Sequence, residues 1–443
     1  MQNPNAQQRL AELLRRHRNR RGMTQRQLAD LSTVSVRAIR DLELGHTLRP
    51  QHNTLRLIAD GLGLDGSGRT TFMASAYSQG EESKWRQDLQ LMAPPVPLTP
   101  LLFRDMELAA LTELVGSFGH RLVTVTGLPG VGKTRLMIEV ACRLHDTGRS
   151  PVLWSSRDTT QDPGRAGPLA TAIRAAVGAA PLTLAGPLVA GASTESLAST
   201  VEDHSVLLVL DGYEAADLDA TGVAHLLQSC RSLRIVITAR APISIRGMRT
   251  VPLAPLAVPA ARGDSALALL GSVPSVSYLV RLLRHEQPGF ELNPANAGPV
   301  IELCRRLDGL PAALDSIASW LSVYTLDLLL ECVRLDPFSV LTPLSDTGQC
   351  DLSSDLTNAI DGLDPADAVW LDRLARVETS WSLGDAARLT GQSAPACAQL
   401  ISRLLERGLA RACDERHQSG FRVLDLVRAR RAAPASADLV QAV

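Results

Sequence analysis

The 443-residue chain reads as a multidomain protein: an all-α head, a doubly wound parallel α/β sheet, a helical subdomain, and a tail of helices that includes a β-hairpin. Three observations predict this order. Near the N-terminus, two short helical stretches, each with its own capping residue, flank a tight turn. Residues 122–137, LVTVTGLPGVGKTRLM, pass from a β-branched apolar run through a glycine loop into a helical pattern, and the apolar runs SVLLVLD and LRIVITAR follow. Beyond about residue 250 the strand pattern gives way to helical periodicity.

Composition sets the bounds. Apolar residues make up 45% of the chain and charged residues 21%, the balance of a folded globular protein and not of a long disordered one. The opening MQNPNAQQ is polar and lacks the apolar centre of a secretory leader. The longest uncharged run, residues 175–194, is cut by Pro181, Pro187 and several glycines, so a loop is expected there and a membrane span is excluded. Seven cysteines (142, 230, 304, 332, 350, 397 and 413) are scattered, odd in number and without a CxxC pair, which fits reduced packing residues in a cytoplasmic protein. The net charge of −1 hides an asymmetry: residues 1–60 hold eleven arginines against five acids, a balance of +6 that leaves −7 elsewhere. A basic head on an acidic body points to an anionic polymer as partner.

In the head, assigned to residues 1–80, Leu10, Leu13 and Leu14 mark a first amphipathic helix that Gly22 stops. Thr24 caps TQRQLAD, a turn at residues 31–34 follows, and Ser35 caps VRAIRDLE, which Gly45 ends. A further helix is expected over residues 54–62 and another over 67–80. Two short helices about a tight turn form a helix-turn-helix, whose second helix enters a DNA major groove. Val36, Arg37 and Arg40 share one face of that helix, while Ile39 and Leu42 face the core. The arginine fork suits guanine edges or phosphates, and Gln25 and Ser35 lie at helix starts where a DNA backbone would pass. The expected partner is double-stranded DNA. Residues 81–100, polar at first and proline-rich at the end, form a linker in which Trp85 is free to dock against a neighbour.

Residues 101–250 are assigned to the sheet domain. G-x-x-x-x-G-K-T between a strand and a helix is the phosphate-binding loop pattern in its required context. Gly127, Gly130 and Gly132 allow backbone angles that turn successive N–H groups onto an anion at a helix start. Lys133 then reaches the outer phosphates and Thr134 offers its hydroxyl to Mg²⁺. Only two lysines occur in the chain, Lys84 and Lys133, so one of them stands where a compact ammonium is needed in place of a planar fork. Asp211 ends the apolar run at residues 205–211, where an acid at the end of a buried strand holds Mg²⁺ through water. Arg240 ends LRIVITAR and is expected near a γ-phosphate.

Residues 251–345 read as a helical subdomain, with the periodic stretch 300–321 broken by Gly309-Leu310-Pro311. Residues 346–443 read as a winged helix: helical runs at 366–375, 383–390 and 394–408, then a hairpin and a last helix in LARACDERHQSGFRVLDLVRARR. No repeat period of 30 to 50 residues appears.

The stretch TQRQLADLSTVSVRAIRDLELG resembles the lambda-repressor-like, xenobiotic-response-element class of DNA-binding domains, with Thr33 where that class usually has glycine. The series GLPGVGKT, LLVLD, RIVITAR, CRRLDGLPAAL and FRVLDLVRA, in that order, resembles the NB-ARC module of STAND-class signalling ATPases. Together they make nearly the whole chain similar to bacterial transcriptional regulators that join a helix-turn-helix to an NB-ARC switch. The resemblance implies ATP or ADP with Mg²⁺, held by Gly127 to Thr134, with Arg135 beside them. It implies Lys133 and Asp211 as the catalytic pair, Arg240 as the γ-phosphate sensor, Pro311 against adenine, Arg104 in the entry motif, and Asp425 reading the ADP β-phosphate. Two positions depart from the pattern: Gly212 replaces a second acid or amide after Asp211, so hydrolysis is at most slow, and Leu424 replaces the motif histidine. The implied behaviour is an ADP form closed by the winged helix and an ATP form that opens, self-associates on DNA and meets the transcription machinery. Two alternatives stay open: a STAND-type ATPase sensor with a nucleic-acid-sensing head, and an adaptor with a structural nucleotide.

Overall fold

The computed structural model describes residues 4–47, 52–64, 72, 94–116, 119–146, 151–157, 206–259, 270–342, 344, 351–415 and 418–432. The expected loop at 175–194, Trp85, Lys84 and most of the expected 67–80 helix lie outside them; Phe72 alone of that helix is described, helical and fully buried. Among the described residues no helix is long and apolar enough to cross a membrane.

Among the described residues the head contains the helices α1 (Pro4–Arg20), α2 (Gln25–Ser32), α3 (Val36–Glu43) and α4 (His52–Gly61), closed over Leu14, Leu28, Ile39, Leu55, Ile58 and Phe72. Both expected caps form: Thr24 makes a capping box with Gln27, and Ser35 accepts the Ala38 N–H. Thr33 ends α2 at φ 55°, ψ 23°. A β-branched residue is strained in that left-handed region, so the turn geometry survives the missing glycine at a local cost.

Among the described residues the sheet has five strands, β1 (Leu122–Thr126), β2 (Val152–Ser156), β3 (Leu207–Asp211), β4 (Arg234–Ala239) and β5 (Arg249–Pro252), ordered β2-β3-β4-β1-β5. Every pairing is parallel. β1, β3 and β4 are buried along their whole length, which explains their continuous apolar runs: both faces are covered. Val123, Val125, Val209 and Val236 face one core with α5 (Asp105–Gly116) and α6 (Lys133–Asp146). Leu122, Leu208, Leu210, Ile235 and Ile237 face the other with α7 (Ala220–Ser229). β5, a short RTVP stretch with exposed ends, crosses the expected domain boundary at residue 250 and is recruited by pairing with β1. In register, Thr126 lies opposite Ala239, and β3 lies beside β4, so the chain leaves β1, β3 and β4 at one carboxyl edge.

Helices α8 (Pro274–Glu286), α9 (Ala297–Arg306), α10 (Pro311–Trp320) and α11 (Leu326–Leu335) follow. The break expected at GLP is the joint between α9 and α10, with Pro311 as the first residue of α10. The tail comprises α12 (Leu352–Asp361), α13 (Pro365–Ala375), α14 (Leu383–Thr390), α15 (Ala394–Glu406), the antiparallel hairpin β6 (Ala410–Glu415) and β7 (Gln418–Val423), and α16 (Asp425–Ala432). Trp381 adds a bridge to Phe421, completing the three-helix and wing arrangement. One apolar core runs from Val125 of the sheet through Leu303 and Leu314 to Leu356, Leu404 and Leu426 of the tail.

Candidate functional site

The loop between β1 and α6 takes left-handed angles at Gly127 (φ 146°), Gly130 (φ 77°) and Gly132 (φ 99°). At two of them space also demands glycine. A Cβ on Gly127 would lie 2.6 Å from the Leu253 carbonyl oxygen, and one on Gly130 would lie 2.7 Å from Ala312 and 2.9 Å from Leu352. The Lys133 ammonium donates to the Gly127 and Leu128 carbonyls at 2.8 and 3.0 Å. Burial lowers its pKa to about 8, opposed by the nearby carboxylates of Glu214, Asp211 and Asp355 and reinforced by Arg240.

Thr134, at the start of α6, and Asp211, at the end of β3, meet directly: the threonine hydroxyl donates to Asp211 Oδ1 at 2.8 Å. Thr238, at the end of β4, donates to the same oxygen at 2.6 Å and accepts the Gly212 N–H at 2.8 Å, so its hydroxyl sets the orientation of Asp211. Glycine amides at a helix start, one ammonium, and a hydroxyl beside a carboxylate form a donor set that fits a polyphosphate with a hard divalent cation.

Arg240 is not free at this edge. Its N–H donates to Glu214 Oε1 at 3.1 Å, and its guanidinium lies 3.7 Å from Glu214 and 3.0 Å from Asp355 on α12. Burial raises the Glu214 carboxyl, with the Arg240 N–H and the charges of Arg240, Lys133 and Arg157 working against it. Neither acid stood out in the sequence. Glu214 carried one available signal, as the first acid after Asp211; Asp355 carried none, because only the fold brings α12 to the sheet.

The remaining expected contacts surround this centre. Arg104 is buried beside the loop, donating to Glu107 at 2.7 Å and to the Val131 carbonyl at 3.3 Å, so it braces the loop from behind. Arg135 is engaged with Glu139 and the Thr99 carbonyl. Pro311 sets the N-terminus of α10 against the loop, where the Ala312 N–H donates to the Gly130 carbonyl at 3.1 Å. Asp425 opens α16 and accepts from Arg422 at 2.7 Å and Arg428 at 3.0 Å. Leu424, at the position of the motif histidine, is buried with its N–H on the Leu409 carbonyl. Sequence reasoning missed Asp308, a fully buried carboxylate that accepts the Leu426 N–H at 2.8 Å. Burial, and then the charge of Asp425, push its pKa up to about 7, against Arg411 and the N–H groups of Leu426 and Asp425.

In the head, Ser35 is exposed at the start of α3, Val36 is 41% exposed, and Arg40 and Arg37 project outward, the Arg37 side chain 92% exposed and 3.9 Å from Asp41. Gln25, at the start of α2, donates its amide to Glu43 Oε2 at 2.6 Å. Glu43, 3% exposed, also accepts from Arg18 at 2.6 and 3.2 Å, making it the polar hinge of α1, α2 and α3.

Residues 9–72 match the family described as a helix-turn-helix domain. The chain is a helix-turn-helix domain joined to a P-loop α/β fold. It is 33% identical over 208 residues to Rv0890c of Mycobacterium tuberculosis, provisionally named an HTH-type transcriptional regulator; the match covers 45% of this chain and 20% of that protein. It is 31% identical over 229 residues to the uncharacterized Rv0894 of the same organism, covering 50% of this chain and 51% of that one. The chain thus spans from a fifth to about half the length of these curated relatives. A STAND protein with a tetratricopeptide-repeat sensor from Pyrococcus horikoshii superposes over 77% of this chain and 43% of its own, at 13% identity and a TM-score of 0.31, too loose a fit to carry an inference.

Proposed function

We propose that this chain is a DNA-binding transcriptional regulator whose conformation is switched by ATP and ADP. The observation that carries the reading is that the tail packs on the phosphate loop itself. Leu352 abuts Gly130, Gly408 approaches the backbone of Gly127 and Leu128, and Asp355 holds Arg240. A ligand bound by the loop and the docked tail therefore compete for the same groups, which is the differential contact a switch requires. Gly127, Gly130, Gly132, Lys133 and Thr134 would hold the phosphates, Thr134 and Asp211 the Mg²⁺, and Pro311 would border the base. The cation would supply charge neutralisation at the phosphates. In the head, Arg37, Arg40 and Val36 would read the major groove, with Gln25 and Ser35 at its phosphate walls. Loss of the closed contacts would free the tail for self-association, pairing two heads on repeated sites and raising affinity through effective concentration.

The test is DNA binding by the full chain with ADP, with ATP, and by Lys133→Ala. Tighter binding with one nucleotide than the other, abolished in the variant, is expected. Equal binding in all three refutes the switch.

A further inference from the structure

Position 212, where a water-orienting acid would follow Asp211, is Gly212 with φ of 76°. The chain then makes a fixed return. The Gly212 N–H is held by Thr238, Tyr213 is buried with its hydroxyl 3.0 Å from Ser155 Oγ, and the Glu214 N–H donates to Asp217 Oδ2 at 2.8 Å at the start of the turn Ala215–Asp217. These three anchors bring the Glu214 carboxylate back over the carboxyl edge of β3 and β4. There it accepts the Arg240 N–H at 3.1 Å and lies 3.7 Å from the Arg240 guanidinium, and its charge acts on the Lys133 ammonium. It therefore lies against Arg240, the group expected at a γ-phosphate, and within electrostatic reach of the lysine that would contact the outer phosphates, while Asp211 is engaged by Thr134 and Thr238.

The geometry points to Glu214 as the general base for hydrolysis of a nucleoside triphosphate at this loop, the role that position 212 leaves unfilled. This rests on the nucleotide reading above. A water oxygen bonds to the γ-phosphorus as the bond from that phosphorus to the β–γ bridging oxygen breaks, its electron pair leaving on the nucleoside diphosphate. The water proton passes to the Glu214 carboxylate and then to solvent, and the products are the diphosphate and inorganic phosphate. Partial burial makes Glu214 a stronger base than a solvated carboxylate while leaving a path for the proton to water. Arg240, shared between Glu214 and Asp355, couples the base to the tail: with Arg240 held by Asp355, the carboxylate keeps its present position, and any movement of α12 alters it.

The experiment uses the full chain with ATP and Mg²⁺, as wild type, Glu214→Gln, Glu214→Asp and Lys133→Ala. Nucleotide affinity is measured by calorimetry, and the nucleotide recovered from the protein after a single-turnover incubation is identified by chromatography. Glu214→Gln is expected to bind ATP within about threefold of wild type, to hydrolyse it about 10² to 10⁴ times more slowly, and so to be recovered with ATP where wild type carries ADP. Glu214→Asp, with the carboxylate drawn back by one methylene, is expected to be intermediate, and Lys133→Ala to lose binding. Hydrolysis by Glu214→Gln at the wild-type rate overturns the inference. Should that variant not fold, wild-type turnover by Glu214→Asp overturns it instead. Wild type that binds ATP and leaves it intact removes the role of Glu214 while leaving the switch standing; wild type that binds no nucleotide removes both.

Discussion

Arg240, at the end of a central strand, and Asp355, on the first helix of the tail, lie 3.0 Å apart, and Asp355 also acts on the Lys133 ammonium. A carboxylate from the tail thus sits among the cations that a terminal phosphate would seek. Because both side chains are partly exposed, 40% and 27%, the pair contributes only about 0 to 1 kcal/mol to stability. Under the proposed function its effect would be on choice of ligand. Asp355→Asn is expected to leave the melting temperature within about 3 °C of wild type. It is expected to raise affinity for ATP several-fold relative to ADP. An unchanged ATP-to-ADP affinity ratio in titrations of the two proteins counts against the competition.

A second carboxylate ties the tail to the helical subdomain. Asp308 holds its proton up to about pH 7 in the folded chain and releases it at about 3.8 when exposed. Between these values the folded state binds more protons, so stability falls as pH rises from about 4 to 7 and is level above that. The facing charges are Asp425, Arg411 and Arg422, and the two arginines moderate the loss. Asp308→Asn cannot ionise and is expected to flatten that slope in denaturant titrations at pH 5 and pH 8; a slope equal to wild type would assign the pH dependence to other groups.

Glu43 organises the head. It is buried and receives Arg18 and Gln25. Glu43→Ala leaves the Arg18 guanidinium, itself 15% exposed, without its carboxylate, at a cost of about 3 kcal/mol. Denaturation of the head followed by circular dichroism measures it, and a loss below about 0.5 kcal/mol would show that water replaces the pair. Gln25, released from Glu43 in this variant, would be free for the proposed phosphate contact, so DNA affinity at low temperature is expected to fall less than stability does.

For the recognition helix, Arg37→Ala and Arg40→Ala are each expected to weaken binding to a cognate duplex by about 1 to 3 kcal/mol and to relax preference at one base pair. Both side chains are solvent-exposed on α3, so melting should be unchanged. Equal losses on cognate and random duplexes would make them phosphate contacts.

Much of this architecture was legible because it is local. Strands β1, β3 and β4 announce themselves as apolar runs since both faces are covered; the loop glycines are dictated by backbone angles that other residues resist; Thr24 and Ser35 satisfy amides only three residues away. β5 escaped because four residues without an apolar run become a strand only when the edge of β1 offers partners. The acids escaped for a related reason. Glu214 meets Arg240, Asp308 meets the start of α16, and Asp355 reaches the phosphate loop only after β3 and β4 pair and the tail closes on the sheet. By itself the sequence determined that a phosphate loop and a basic helix-turn-helix exist on one chain, since periodicity, capping and glycine angles are written in consecutive residues. The tertiary structure decided which carboxylates face the Lys133 and Arg240 cations, since charges distant in sequence are brought within a few ångströms only by packing.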